Sequence, residues 1–395
     1  MSALRAAARS FVQTWQAILR DKAALLLFFI SGIIYSFFYP LPYSAETVRR
    51  VPVAVLDQDG SALSRQLIRY AGAHPGIVIA GVSTRLDAVQ NMIWRGEAAG
   101  ALLIPEDFSR KILAGQVPEI EVGGHGSYPL LNKVSLNGLA EVGGTLSAGV
   151  ELKRLGAATP SAAQAEGARQ PLSVEAIPLF NVREGYASYI VPGVVVLIMQ
   201  QTFLLGIGLL FGSWFSTQAF PYARGAAAYC GALSAFALVV ALNAMYFFGF
   251  VFWWQDYPRG GNLAGTAVLT LLFAYSVAAL GMLIGMFFRT RERSMQLLVA
   301  TSLPIMFLSG LTWPASALPA PLQLLAWLLP STAAIQGFIA TNQMGASLHE
   351  VRTELAALLG LALLFAALGL RQWRRMQAPR SARRRRLVDP ADPGA

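Results

Sequence analysis

The 395-residue chain carries a single cysteine, Cys230, and only 13% charged residues. One cysteine excludes an intramolecular disulfide, so any exported portion has to be stable without one. Soluble domains devote about a quarter of their residues to Asp, Glu, Lys and Arg. With far fewer here, 55% hydrophobic residues and a mean hydropathy of +0.50, the composition is that of an integral membrane protein. The three histidines, His74, His125 and His349, are scattered and fit no metal spacing. There is no G-x-x-x-x-G-K-[ST] loop, which excludes a P-loop nucleotide site of the chain's own. Ionisable residues are also missing from the central part of each long apolar run. Proton- or sodium-coupled carriers need such groups as relays or ion ligands, so a self-sufficient secondary transporter is disfavoured and a partner has to supply the energy.

What is present is six apolar runs and an uneven distribution of positive charge. The runs cover about 23–43, 188–211, 226–254, 263–288, 295–313 and 355–373, each long enough to span a bilayer. Residues 43–187 hold 13 basic and 14 acidic side chains, leaving 18 of the 31 basic residues and 7 of the 21 acidic ones elsewhere. The net charge of +10 therefore sits beside the spans, which favours topology and lipid headgroups over a nucleic-acid partner. With six spans, Arg5, Arg9, Arg20, Lys22, Arg224, Arg289, Arg291, Arg293, Arg371, Arg374, Arg375 and the basic run 383–386 all fall on one side. Both termini are then cytoplasmic. The expected organisation is a cytoplasmic amphipathic interfacial helix at 1–22, a first span at 23–43, an outer α/β domain at 44–187, spans two to six within 188–373, and a basic cytoplasmic tail at 374–395. A cleaved signal peptide is disfavoured, because the preceding region is already amphipathic and Tyr43 would be a bulky residue at the −3 position.

Within 44–187, the stretch VPVAVLDQDGSALSRQLIR at 51–69 reads as strand, tight turn and helix. Its D-x-D-G admits two chemical readings. A calcium loop starting at Asp57 has Ile68 at its twelfth position, where a bidentate glutamate is required. A haloacid-dehalogenase-type magnesium site, with Asp57 and Asp59 as nucleophile and general acid, lacks a downstream G-D-x-x-x-D pair. The plainer reading is that Asp59 or Ser61 caps the following helix and Gly60 supplies the turn. Further along, strand-like 77–82, 99–104 and 119–122 alternate with helix-like 85–95, 105–113 and 132–155, and a linker runs to Pro171.

Near the C-terminus, residues 314–347 are apolar, yet Pro314, Pro319, Pro321 and Pro330 cut them into pieces too short to span. Such backbone persists at membrane depth only where protein or water satisfies it, so one or two short helices dipping into the outer leaflet are expected. Gln200, Gln201 and Asn243 are the strongest polar groups in the spans, either lining a pathway or bonding between helices. Gly208/Gly212 and Gly281/Gly285 form small-xxx-small pairs that would suit a dimer face.

Three segments together carry a resemblance. They are 51–67, with Asp57, Asp59, Ser61, Ser64 and Arg65; RGEAAGALLIPEDFSRKIL at 95–113; and 309–338, with Ser309, Gly310, Pro314, Pro319, Leu329, Pro330 and Ser331. In this order they resemble the permease subunit of a bacterial type-2 ABC exporter, of the subgroup with a large periplasmic domain between its first two spans. The resemblance implies a polytopic α-helical protein with six transmembrane helices, N-in and C-in, and an inserted α/β periplasmic domain, multi-pass in the bacterial inner membrane. It further implies a homodimer or a pairing with a paralogous permease, resting on two cytoplasmic ABC ATPase subunits. Those partners use ATP and Mg; the chain itself binds no cofactor and is no enzyme. A periplasmic membrane-fusion adaptor and an outer-membrane channel are further partners of this kind. An amphipathic, lipid-like or drug-like substrate is implied. Force would enter through the helix ending at Arg20, Asp21 and Lys22, through the loop between spans two and three, and through Arg289, Arg291 and Arg293. The middle loop departs from the family: GSWFSTQAFPYARG has Arg224 as its only charge, leaving Trp214, Phe215 and Phe220 for docking. A membrane-anchored scaffold or receptor is the alternative, and an enzyme using Asp57 and Asp59 a third.

Overall fold

The computed structural model describes residues 3–158, 179–181, 184–218, 220–259 and 261–377. Most of the expected linker to Pro171 and the 383–386 basic run lie outside them. The chain divides into two compact units, Thr47–Ile177 and the pair of segments Met1–Glu46 with Pro178–Ala395.

The Thr47–Ile177 unit is built on strand β1 (Val51–Asp57), flanked in parallel by β2 (Ile77–Ser83) and β3 (Gly100–Ile104). A short β4 (Glu121–Gly124) joins β3 antiparallel, so the order is β2-β1-β3-β4. A central strand covered on both faces reads as a continuous apolar run, and β1 does. Val53 and Val55 face a core with Leu67, Ile104, Phe108 and Leu139, while Ala54 and Leu56 face Val89 and Ala98 on the other side. The first core is closed by α3 (Ala62–Ala73), α5 (Phe108–Leu113) and α6 (Pro129–Ala158), the second by α4 (Leu86–Trp94). Each fully buried valine contributes about 2 kcal/mol of hydrophobic stabilisation, which makes β1 the best-anchored element of the unit.

The other unit is helical. It contains α1 (Ala3–Arg20), α2 (Lys22–Tyr43), α7 (Tyr186–Ser216), α8 (Ala226–Trp254), α9 (Leu263–Gly285), α10 (Arg291–Leu308), α11 (Ala320–Trp327), α12 (Pro330–Gln343) and α13 (Arg352–Met376). Five of these among the described residues, α2, α7, α8, α9 and α13, are long and apolar enough to cross a membrane, and the bent pair α11 and α12 makes a sixth if it is one span. Helix α7 is apolar all round and central, packing against α9, α10 and α12. The outer helices expose aliphatic and aromatic side chains, such as Ile33, Ile34 and Phe38 on α2 and Leu363 on α13, as a lipid-facing surface requires.

Two expectations are corrected here. The span placed at 295–313 is shorter and begins earlier: α10 starts at Arg291 and stops at Leu308, because Ser309 ends the helix and Gly310 turns it away at φ +79°. With Arg291, Glu292 and Arg293 in its first turn, α10 keeps roughly 22 Å of uncharged helix, short of a hydrocarbon core of about 30 Å. The glycine pairs are consumed inside the chain. An added Cβ at Gly208 would meet Leu298 at 2.8 Å and one at Gly281 would meet Ile207 at 2.6 Å, while Gly285 faces Phe211. They seat α10 and α9 against α7, so these pairs are not free to form a dimer face. The expected amphipathic helix at the N-terminus is α1, which turns Ser10, Thr14 and Ile18 inward against α8, with Ala7 packed on Gly231, and leaves Leu4, Ala8, Val12 and Leu19 outward.

Pro314, Pro319 and Pro330 each open a helical piece, where a missing amide hydrogen costs nothing. They start the short turn Ala315–Ala317, α11 and α12, and the last two are bent by 81°.

Candidate functional site

The helical unit gathers most of the sequence-predicted residues at one end. The turn between α1 and α2 is held by Asp21, whose carboxylate accepts the amides of Ala23 at 3.0 Å and Ala24 at 3.1 Å as the N-cap of α2. The same carboxylate receives the Arg291 guanidinium at 2.9 Å on each oxygen. A charge-assisted pair of this kind is stronger than a neutral hydrogen bond. It links the amphipathic helix to the start of α10, 270 positions away in the chain. Arg20 and Lys22 flank the turn and are exposed, as are Arg224 and Arg293.

Beside this pair, the Arg289 guanidinium lies 5.0 Å above the Phe215 ring at the end of α7. Phe215 stacks on Phe220 at 5.7 Å with planes 16° apart. Gly212 brings the α7 backbone against the same loop: a Cβ there would lie 2.6 Å from the Thr290 carbonyl. Trp214 is 9% exposed, set edge-on to Phe220 and Tyr222, and Phe220 and Tyr222 both reach Trp373 of α13. The Tyr222 hydroxyl shares a 2.8 Å hydrogen bond with Thr14 of α1, and burial pushes its pKa well above the ordinary phenol range.

Of the expected docking surface, Trp214 is buried, while Phe215 and Phe220 are half-buried. These rings fasten the loop to α1, α7 and α13, and the outward side chains here are Ser216, Thr217, Gln218, Arg224 and Arg289. Sequence reasoning missed Thr14, Tyr222 and Trp373. The available signal was Trp373 at the end of an apolar run, Tyr222 in the short loop between two such runs, and Thr14 as a small polar side chain within an amphipathic helix.

The polar residues within the spans bond between or along helices. Gln200 is fully buried and its Oε1 accepts the Ser331 amide at 2.8 Å, in the first turn of α12. Gln201 donates to the Leu298 carbonyl at 3.0 Å and to Ser302 at 2.8 Å, both on α10. Asn243 donates to Val239 at 3.0 Å within α8. Ser309 donates to the Met306 carbonyl at 2.7 Å and accepts the Leu311 amide at 3.3 Å, fixing the end of α10. Helix α7 thus holds three partners: the 289–293 loop at its end, and α10 and α12 at mid-length.

In the Thr47–Ile177 unit the D-x-D-G stretch is a locked turn. Asp57 is 6% exposed and accepts the amides of Asp59 at 3.2 Å and Gly60 at 3.0 Å, and the Ser64 hydroxyl at 2.9 Å. Ser61 caps α3 by accepting the Leu63 and Ser64 amides, and Arg65 donates to the Gly60 carbonyl at 2.6 Å. Asp59 instead holds the start of α5, accepting the Ser109 amide at 3.2 Å and hydroxyl at 2.9 Å. Burial alone would raise the Asp59 pKa, but the hydrogen bonds from Ser61 and Ser109 outweigh it and hold the carboxyl below its ordinary range. Among the described residues no group of three or more His, Cys, Asp or Glu is arranged to hold a metal ion.

Among curated proteins none matches the chain. A family match covers residues 22–371, and that family is described as ABC-2 family transporter protein.

Proposed function

The chain belongs to the ABC-2 transporter family, whose members are membrane components working with an ATPase subunit, and from that premise we propose that it is the permease of an ATP-driven exporter. Its substrate is an amphipathic, lipid-like or drug-like molecule leaving the cytoplasm or inner membrane. The two termini are cytoplasmic, residues 44–187 form a periplasmic domain, and the permease works as a homodimer or beside a paralogue. A membrane-fusion adaptor and an outer-membrane channel extend the same route where the envelope has two membranes.

The observation that carries this reading is the Asp21–Arg291 pair beside Arg289 and Phe215. It ties α1, the 289–293 loop and the α7 end into one body. A push from closing ATPases on Arg20, Lys22, Arg224, Arg289 or Arg293 would move that body together. Helix α7 carries the motion onward: Gln200 lies twelve positions from Gly212, roughly 18 Å along the axis, and it grips the first turn of α12. Rocking α7 would then tilt the bent α11–α12 pair and open an apolar path toward the outer leaflet.

Two experiments test it. Affinity purification of the chain with candidate cytoplasmic ABC ATPases should yield a complex with vanadate-sensitive ATP hydrolysis, and absence of any ATPase partner would overturn the reading. In a Cys230→Ser background, Val117→Cys should react with an impermeant maleimide in intact cells whose outer membrane is permeabilised, while Arg224→Cys should not. The second reading, a membrane-anchored receptor, draws support from an apolar cleft of about 570 Å³ in the Thr47–Ile177 unit, lined by Leu67, Phe108, Ile112, Ile120, Leu146 and Val150. It would survive a missing ATPase, and partner binding by this unit without transport would favour it.

A further inference from the structure

Where α9 and α13 end side by side, they enclose a groove. The helices are joined at mid-length by the Ser276 hydroxyl, which donates to the Leu358 carbonyl at 2.8 Å. Beyond it, Leu283, Ile284 and Phe287 face Leu368 across a trough of about 440 Å³ that ends at Arg371, Gln372 and Arg375. Gln372 and Arg375 also line a second hollow of about 210 Å³, together with Phe215, Arg289 and Met376. The two spaces share Gln372 and Arg375: Arg371 and Arg375 border the apolar trough, Arg375 and Arg289 border the polar hollow, and no carboxylate lines either. None of Arg289, Arg371 and Arg375 forms an ion pair with another described residue.

Three like charges converging without a counter-charge repel one another unless an anion joins them. Guanidinium groups match phosphate geometry bidentately. The apolar half is not closed off, since Phe287 is 64% and Leu368 42% exposed, and it continues into the exposed Leu359, Leu363 and Leu364 of α13. An aliphatic chain can therefore enter from the bilayer while the charged group stays at its edge. A free phosphate would fill the hollow and leave the trough empty, and a neutral lipid would fill the trough and leave the arginines unpaired.

We propose that this groove binds one anionic phospholipid, its phosphate held by Arg371, Arg375 and Arg289 and an acyl chain lying along Leu283, Phe287 and Leu368. Basic pockets between transmembrane helices recognise anionic headgroups in this way. The assignment needs only that the chain is in a membrane and does not depend on what it transports. Because Arg289 also covers Phe215, an occupied groove would bias the loop that meets α7.

Native mass spectrometry of the purified full chain, titrated with phosphatidylglycerol, phosphatidylcholine or glycerol 3-phosphate, tests the proposal. One phosphatidylglycerol should be retained in preference to phosphatidylcholine. The Arg371→Gln/Arg375→Gln variant should weaken that binding roughly 30-fold, the factor two basic residues supply at an anionic surface. Arg374→Gln, on the same helix end but outside the groove, should bind as the wild type does. Leu368→Trp fills the trough, leaves the arginines intact and should also weaken binding; it decides the matter if the double variant does not fold. Equal retention of both lipids by the wild type, wild-type binding by both groove variants, or displacement of the lipid by equimolar glycerol 3-phosphate would each overturn the proposal.

Discussion

Replacing Gln200 with leucine removes one acceptor from the middle of the helical unit and nothing of comparable volume. Its Oε1 meets the Ser331 amide at 2.8 Å, and the glutamine is fully buried. Amides in the first turn of a helix have no intrahelical acceptor, so Gln200→Leu leaves the Ser331 N–H without one. A buried amide left unpaired costs about 1–3 kcal/mol. Interhelical hydrogen bonds in membrane proteins average about 0.6 kcal/mol and reach about 1.7 kcal/mol. Leucine gives part of this back, because the Gln200 Nε2 is buried with no hydrogen-bond partner among the described residues. The net loss should be about 1 kcal/mol and confined to α12. Hydrogen exchange of the amides at 331–334 should accelerate about fivefold, with amides in α8 unchanged. Gln200→Glu retains an acceptor at a helix N-terminus and should exchange as the wild type does. Exchange at 331–334 altered less than twofold by the leucine would refute the idea that α7 holds α12 through this contact.

Asparagine at position 21 keeps the α2 cap and loses only the charge. A thermal-unfolding cycle of Asp21→Asn with Arg291→Gln should therefore reveal a coupling of about 0.5 kcal/mol, modest because the Arg291 side chain is 37% exposed; strict additivity would contradict it. Gly212→Val should destabilise by about 1–3 kcal/mol, since its side chain would press on the Thr290 carbonyl. Gly360→Val, where an added Cβ meets nothing within 4 Å, is the matched control in the same unfolding assay. Asp59 has a folded pKa below its unfolded value, so the stability it contributes is present above the unfolded carboxylate range and is lost as pH falls through the folded pKa. Unfolding temperatures measured from pH 5 down to pH 3 should fall more steeply for the wild type than for Asp59→Asn, and parallel curves would count against the Ser109 contact.

The features readable from sequence were those fixed within a few residues. The strand, turn and capped helix around Asp57, Gly60 and Ser61 follow from local hydrogen bonding, and the three prolines mark helix starts because of what proline lacks. Chemistry at Asp57 and Asp59 was harder to dismiss from sequence, since it took the geometry to show Asp57 bonded to the Asp59 and Gly60 amides and to Ser64. What sequence could not supply is which apolar surface meets which. Trp214 at the end of a span suits a partner, lipid or core equally, and only packing on Tyr222 and Trp373 decides it. Asp21 and Arg291 were both expected to take part in coupling, but only the fold shows that they pair with each other across 270 positions of chain. The end of α10 was misplaced for a related reason: Leu311 and Trp313 continue the apolar run, while the reversal at Gly310 is a backbone event.

The most direct test is ATP hydrolysis by the chain reconstituted in liposomes with its ATPase, measured alongside movement of a fluorescent amphiphile across the bilayer. A permease driven by separate ATPases should give vanadate-sensitive hydrolysis that rises with the amphiphile and moves it, and Asp21→Ala should lower transport more than basal hydrolysis. Amphiphile movement that ignores ATP and vanadate, or hydrolysis that the chain leaves unchanged, would contradict it.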